Sequence, residues 1–119
     1  MSVTRTFTVT VVSTGSGNKY FIDGVQQATV NLAEGYTYKF DQSDSSNSAH
    51  PLRFSTTDNG THSGGSEYTT GVTTNGTPGN SGAYTQITVA ASAPTLYYYC
   101  TNHSGMGGQA NTPAADTWG

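Results

Sequence analysis

Alternation of apolar and polar residues is the sequence feature that most constrains the fold of this chain. Phenylalanine and valine alternate with threonine in residues 5–11, and comparable alternation returns in residues 36–41, 84–90 and 95–100. A period of two places one set of side chains on each face of a β-strand, whereas a helix needs spacings of three and four. The pattern therefore predicts half-buried strands with one face turned toward a core.

Turn signals separate these alternating segments and set the number of strands. Asp23-Gly24, Asn75-Gly76 and Pro78-Gly79 are residue pairs that favour tight turns. Threonine and tyrosine, which favour strands, are abundant, while only 9% of the residues are charged. We predict an all-β fold, a Greek-key β-sandwich or barrel of about seven strands.

The length of 119 residues suits one domain. We assign residues 1–108 to that domain and residues 109–119 to a C-terminal tail that contains Gly and Pro, with Trp118 as its anchor. Residues 57–83 are rich in Gly, Ser, Thr and Asn, with a short edge strand predicted at residues 67–72. A segment this long and irregular in a compact domain is usually functional or loosely ordered.

The charge pattern argues against several classes of partner. The net charge is −3 and the four basic residues are scattered, so nucleic-acid binding has no electrostatic basis. No apolar run approaches the roughly 20 residues of a membrane span, and no apolar segment of a signal peptide follows the first residues. We expect a monomer that is not inserted in a membrane. Its compartment stays open: periplasmic or extracellular for a mature form, or that of a larger protein of which the chain is a part.

A cluster of potential metal ligands lies near the C-terminus. Cys100, His103 and Met106 fall within seven residues, and His50 lies upstream. Because Cys100 is the only cysteine, it cannot form an intramolecular disulfide. One thiolate, two imidazoles and a thioether form the ligand set of blue-copper electron-transfer centres. We therefore predict a copper site at these four residues.

The predicted strands explain how these ligands can meet. Cys100 ends a strand and shares its inward face with Leu96 and Tyr98, whereas Tyr99 faces away from the core. The glycine-rich loop that follows can bring the later ligands back over the sulfur. His50 arrives from the start of another predicted strand.

The ligand segment resembles a known family. Residues 97–106 read Tyr-Tyr-Tyr-Cys-Thr-Asn-His-Ser-Gly-Met and are similar to the copper-binding loop of the cupredoxins, the family of plastocyanin and amicyanin. Residues 38–41 and 49–54 are similar to the family's first-histidine strand pair, and the resemblance covers roughly residues 27–108. It implies one type 1 copper ion per chain, cycling between Cu(I) and Cu(II).

The resemblance also implies a role for each ligand. His50, Cys100 and His103 would hold the copper ion, with Met106 as a weak axial ligand. His103 would lie at the exposed edge, through which an electron passes to a redox partner protein. Cupredoxins usually place Asn directly after the first histidine to tie the two ligand loops together. Here that position is Pro51, which leaves Asn47 and Ser48 as candidates for the tie.

Other readings of the same residues stay open. Zinc also suits one Cys and two His, although it leaves the Met unexplained. His62 and three acidic residues are interpreted as solvated loop residues; the acidic residues are Asp41, Asp44 and Asp58. We expect no enzyme, because no Gly-x-Ser-x-Gly elbow is present and a single metal site leaves no second centre for substrate.

The functional alternative to an electron carrier is a structural module. Short cupredoxin-like modules with His-Pro-Leu and Tyr-Cys-x-x-His segments resemble parts of phage virion proteins. The chain carries both segments, around His50 and Cys100, and its composition is rich in Ser, Thr and Gly. Such a module would keep the fold in a larger assembly, with or without metal.

Overall fold

The all-β prediction is confirmed. The computed structural model describes residues 3–115, so the predicted anchor Trp118 lies outside the described residues. Within this range the chain forms eleven strands and no α-helix. The strands are β1 (Arg5–Thr14), β2 (Gly17–Ile22), β3 (Val25–Gln26), β4 (Val30–Asn31), β5 (Thr37–Asp41), β6 (Leu52–Ser55), β7 (Glu67–Tyr68), β8 (Val72–Asn75), β9 (Tyr84–Thr88), β10 (Leu96–Cys100) and β11 (Gly108–Asn111).

The strands form two mixed sheets. The first has the order β3-β2-β1-β5-β9-β8, and the second has the order β4-β11-β10-β6-β7. Neighbouring strands are antiparallel except for the pairs β1–β5 and β4–β11, which are parallel. The chain changes sheets five times: between β3 and β4, β4 and β5, β5 and β6, β7 and β8, and β9 and β10. These crossings place the two sheets face to face, as in a Greek-key sandwich.

The described residues form more strands than the predicted seven, in part because several strands are very short. Three of the eleven described strands, β3, β4 and β7, are two residues long. Asp23-Gly24 does form a hairpin turn, with φ angles of 50° and 82° that match the favoured two-residue type. Across this turn β2 pairs with Val25–Gln26. Val30–Asn31 pairs with β11 in the other sheet.

A strand of the second sheet spans the predicted boundary between the domain, residues 1–108, and the tail, residues 109–119. Residues 108–111 form β11, between β10 and β4. Ala110 is fully buried and pairs with Leu96 and Val30. The glycines and the absence of an alternating apolar pattern hide this strand in the sequence.

Aromatic side chains fill the space between the sheets. The ring of Phe40 on the first sheet lies 5.4 Å from that of Phe54 and 6.4 Å from that of Tyr98 on the second. Leu96, Tyr98 and Cys100 are all buried in this core, as the alternation predicts. The core therefore extends along β10 as far as the cysteine.

The loops at the cysteine end of β10 carry the only helical turns in residues 3–115. They are 3₁₀ turns at Ser45–Asn47 and Gly60–Ser63. In that range no helix is both long and apolar enough to cross a membrane. The first turn precedes His50, and the second packs against the end of β10.

Candidate metal centre

Three of the predicted ligands converge at one end of the sandwich. The Sγ atom of Cys100 lies 3.7 Å from Nδ1 of His50 and 3.8 Å from Nδ1 of His103. The two imidazole rings have centroids 4.6 Å apart. His50 and Cys100 are buried, while His103 is exposed. Among residues 3–115 this is the one group of three His, Cys, Asp or Glu side chains arranged for a metal ion.

These distances fit a single bound ion. Metal–sulfur and metal–nitrogen bonds of about 2.3 Å and 2.0–2.1 Å, at tetrahedral to trigonal angles, separate sulfur from nitrogen by about 3.5–3.8 Å. The separations at Cys100 match this range, and the three ligand atoms lie within 4.8 Å of one another. Both histidines turn the same ring nitrogen toward the sulfur. The triad can therefore bind a metal ion with little rearrangement.

The fourth predicted ligand, Met106, lies in the core, at the end of the loop that follows Cys100 and carries His103. Its side chain is 1% exposed and belongs to the same buried cluster as Cys100. Its carbonyl oxygen accepts a hydrogen bond from the Tyr20 amide at 3.0 Å, which anchors the end of the ligand loop to β2. Axial ligation by the Met106 sulfur stays a prediction.

The backbone of His50 is fixed by two buried side chains. Its carbonyl oxygen accepts hydrogen bonds of 2.7 Å from the Tyr20 hydroxyl and from the Gln42 amide. The amide oxygen of Gln42 also accepts from the Leu52 N–H at 3.0 Å, so Gln42 holds the chain on both sides of the ligand. Burial raises the pKa of the Tyr20 hydroxyl, and the nearby Cys100 adds to the effect. Tyr20 therefore remains a protonated donor.

The environment of His50 favours the neutral form of its imidazole. Burial lowers the pKa of His50, and the neighbouring His103 lowers it further. A metal ion needs the unprotonated ring nitrogen, so this shift favours binding at neutral pH. Both causes act in the same direction, because burial and a second imidazole nearby each disfavour the charged ring.

The side chains of Lys19 on β2 and of Gln27, just after β3, hold the loop between His103 and β11. The Lys19 ammonium donates to the Gly105 carbonyl at 2.8 Å, and the Gln27 amide donates to the Gly107 carbonyl at 2.9 Å. Gly105 has a φ of +79°, and a Cβ at Gly107 would lie 1.7 Å from the carbonyl oxygen of Tyr98. The glycines are thus required where the loop turns and where it passes against β10.

The two ligand segments are tied together, but not through the predicted residues. Asn47 is fully buried and donates to Val9, away from the ligand loop. The tie comes from the other segment: the Asn102 amide donates to the Ala49 carbonyl at 2.9 Å. The Thr101 N–H also donates to the Pro51 carbonyl at 3.2 Å. Pro51 thus takes part through its oxygen, which proline retains.

Ser48, the second candidate for the tie, caps the 3₁₀ turn at Ser45–Asn47. Its backbone N–H donates to the Ser45 carbonyl at 3.1 Å. The backbone of Gly79 packs closely against it, because a Cβ at Gly79 would lie 2.9 Å from the Ser48 Cα atom. Ser48 therefore supports the turn before His50.

The start of the long polar segment braces the ligand loop. The Asn59 amide donates to the Ser104 hydroxyl at 2.7 Å, and its oxygen accepts from the Gly105 N–H at 2.9 Å. Nε2 of His62 lies 2.7 Å from the Cys100 carbonyl oxygen. His62 is exposed, as expected of a loop residue, yet it also contacts the cysteine ligand. No motif identifies Asn59 or His62 in the sequence.

Tyr99 points away from the sandwich core but is not at the surface. It lies outside the core cluster, and its side chain is 1% exposed because the segment around Gly60 covers it. A Cβ at Gly60 would lie 2.6 Å from the Tyr99 ring. The outward direction follows from alternation along β10, whereas the covering loop could not be inferred from it.

Comparison with known proteins adds no family assignment. No protein-family model and no curated protein matches this sequence. The chemistry of the site therefore has to be derived from its own residues.

Proposed function

We propose that the chain is a small blue-copper protein that carries one electron through a mononuclear type 1 copper site. The observation that carries this proposal is the triad, in which one sulfur lies 3.7 Å and 3.8 Å from two imidazole nitrogens. One thiolate with two imidazoles, and a thioether in the same loop as the second imidazole, suits copper, which when bound supplies a one-electron couple between Cu(I) and Cu(II). Zinc leaves the thioether without a role.

The surroundings of the triad support fast electron transfer. His50 is held through its carbonyl by two buried donors, and the ligand loop is held by Lys19, Gln27 and Asn59. Ligands fixed by their supporting shell move little when the charge of the site changes. Little movement means a small reorganisation cost for each transferred electron.

His103 offers the exit for the electron. It is the exposed member of the triad, and its ring contacts that of His50 across the site. Asn102 and Ser104, its neighbours on the loop, are exposed and uncharged. A redox partner protein would therefore dock on a weakly polar surface around His103 rather than be steered by strong charge.

Reversible redox cycling of the copper-loaded protein tests this function. We expect one-electron voltammetry to be reversible and electron self-exchange to be fast, because the ligands are preorganised. Bound copper that cannot be cycled would contradict the electron-carrier function. A chain that takes up no copper, including when isolated from its natural source, would favour the structural module of a larger assembly.

Met106→Leu tests the axial ligand. The copper-loaded variant should stay blue and have a higher reduction potential, because a weak donor that favours Cu(II) is lost. Met and Leu have similar volumes, so the fold should lose less than about 1.5 kcal/mol of stability. Voltammetry and absorption spectra of the loaded variant measure both effects.

Leu96→Met is the matched control. It makes the reverse exchange, Leu to Met, at another buried position, four residues before Cys100. Its potential should equal that of the wild type. An unchanged potential in Met106→Leu would make Met106 a core residue only, and a colourless variant would mean that Met106 is needed to form the site.

A further inference from the structure

His62 touches the backbone of the cysteine ligand from outside the triad. Its Nε2 atom lies 2.7 Å from the carbonyl oxygen of Cys100, 38 residues away in the chain. A carbonyl oxygen can only accept a hydrogen bond, so Nε2 carries the hydrogen and His62 is the donor. The Nε2–H group of His62 therefore points at the Cys100 carbonyl oxygen.

Further contacts surround this hydrogen bond. The ring of His62 meets the Tyr99 ring edge-on, with centroids 6.2 Å apart and planes at 85°. His62 lies in the 3₁₀ turn Gly60–Ser63, which begins after Asn59. The Asn59 side chain is hydrogen-bonded to both Ser104 and Gly105 of the ligand loop. The turn is therefore attached to the cysteine strand and to the loop after it.

We propose that His62 is a positioning residue that raises the reduction potential of the copper centre through the Cys100 carbonyl. This inference rests on the proposed function. The positive end of the N–H dipole points at the peptide that carries the cysteine ligand. The reduced centre has one positive charge fewer than the oxidised one, so a positive dipole end stabilises the reduced centre more. Partners beyond the direct ligands tune metal sites in this way.

Two substitutions separate the hydrogen bond from the packing of the ring. His62→Phe keeps a ring against Tyr99 but removes the donor. His62→Gln restores a terminal N–H at a reach similar to that of Nε2. Ser63→Ala, on the exposed side of the same turn, is the control. All three variants retain the triad and the other contacts of the ligand loop.

Voltammetry of the copper-loaded proteins gives the main result. In His62→Phe the ratio of reduced to oxidised protein at a fixed applied potential should fall about threefold to tenfold; a tenfold fall corresponds to about 59 mV for one electron. His62→Gln should recover most of this loss, and Ser63→Ala should match the wild type. Equal potentials in all four proteins, or an equal fall in His62→Phe and His62→Gln, would overturn the role of His62.

The Cys100 carbonyl carbon provides a second readout without metal. Its NMR resonance in the metal-free protein should move in His62→Phe and stay near the wild-type position in His62→Gln. A resonance that is unchanged in His62→Phe would also overturn the proposal, because the hydrogen bond would then be absent. Failure of the proposed function is recognised separately, since the wild-type protein itself would then bind no copper or form no redox-active centre.

Discussion

Cys100→Ser should abolish the blue colour that we expect when Cu(II) is added to the reduced, metal-free protein. In a type 1 site the intense visible band arises from charge transfer between a thiolate and Cu(II). A serine hydroxyl is a hard donor that stays protonated, so it cannot replace the soft thiolate. Because Cys100 is the only cysteine, no other thiol can produce the band.

The measurement is an absorption titration with Cu(II), with bound copper determined separately. Thr74→Ser, on the exposed edge strand β8, should keep the wild-type colour and a stoichiometry of one copper per chain. Cys100→Ser buries a hydroxyl at a fully buried position and costs the fold about 1–3 kcal/mol, so its circular dichroism should be checked. A wild-type protein that binds one copper and stays colourless would contradict the type 1 assignment.

The sequence predicts the fold class well because its main signal is local. Alternation along β1, β5, β9 and β10 needs only the two-residue period and a core on one side. The strand Gly108–Asn111 lacks this signal and escapes prediction. It pairs with Val30–Asn31, so it depends on a partner that is distant in sequence.

The residues of the triad were predictable for a similar reason, whereas the residues that support the triad were not. Cys100 and His103 lie three residues apart, and their residue types are rare enough in this chain to stand out. Gln42 and Asn59 are ordinary polar residues whose contacts with His50 and Gly105 exist only in the folded chain. The role of Asn102, which ties the two ligand segments together, was missed for the same reason: its hydrogen bond to Ala49 exists only in the folded chain.

Copper should also stabilise the fold, because the native chain alone brings His50 to Cys100 across 50 residues. A ligand that binds only the native state at 100 times its Kd adds about 2.7 kcal/mol to the free energy of unfolding. For a domain of this size the gain corresponds to a rise in melting temperature of roughly 8–15 °C. Thermal unfolding followed by circular dichroism, with and without copper, measures the shift.

His50→Gln is the informative variant in this experiment. It leaves Cys100 and His103 in place, and because these two are close in sequence the unfolded chain can also use them to bind copper. Binding to both states reduces the stabilisation, so most of the shift should disappear in His50→Gln. An equal shift in wild type and variant would mean that His50 is not a ligand. The absence of any shift in the wild type would mean that the triad does not hold copper in the native protein.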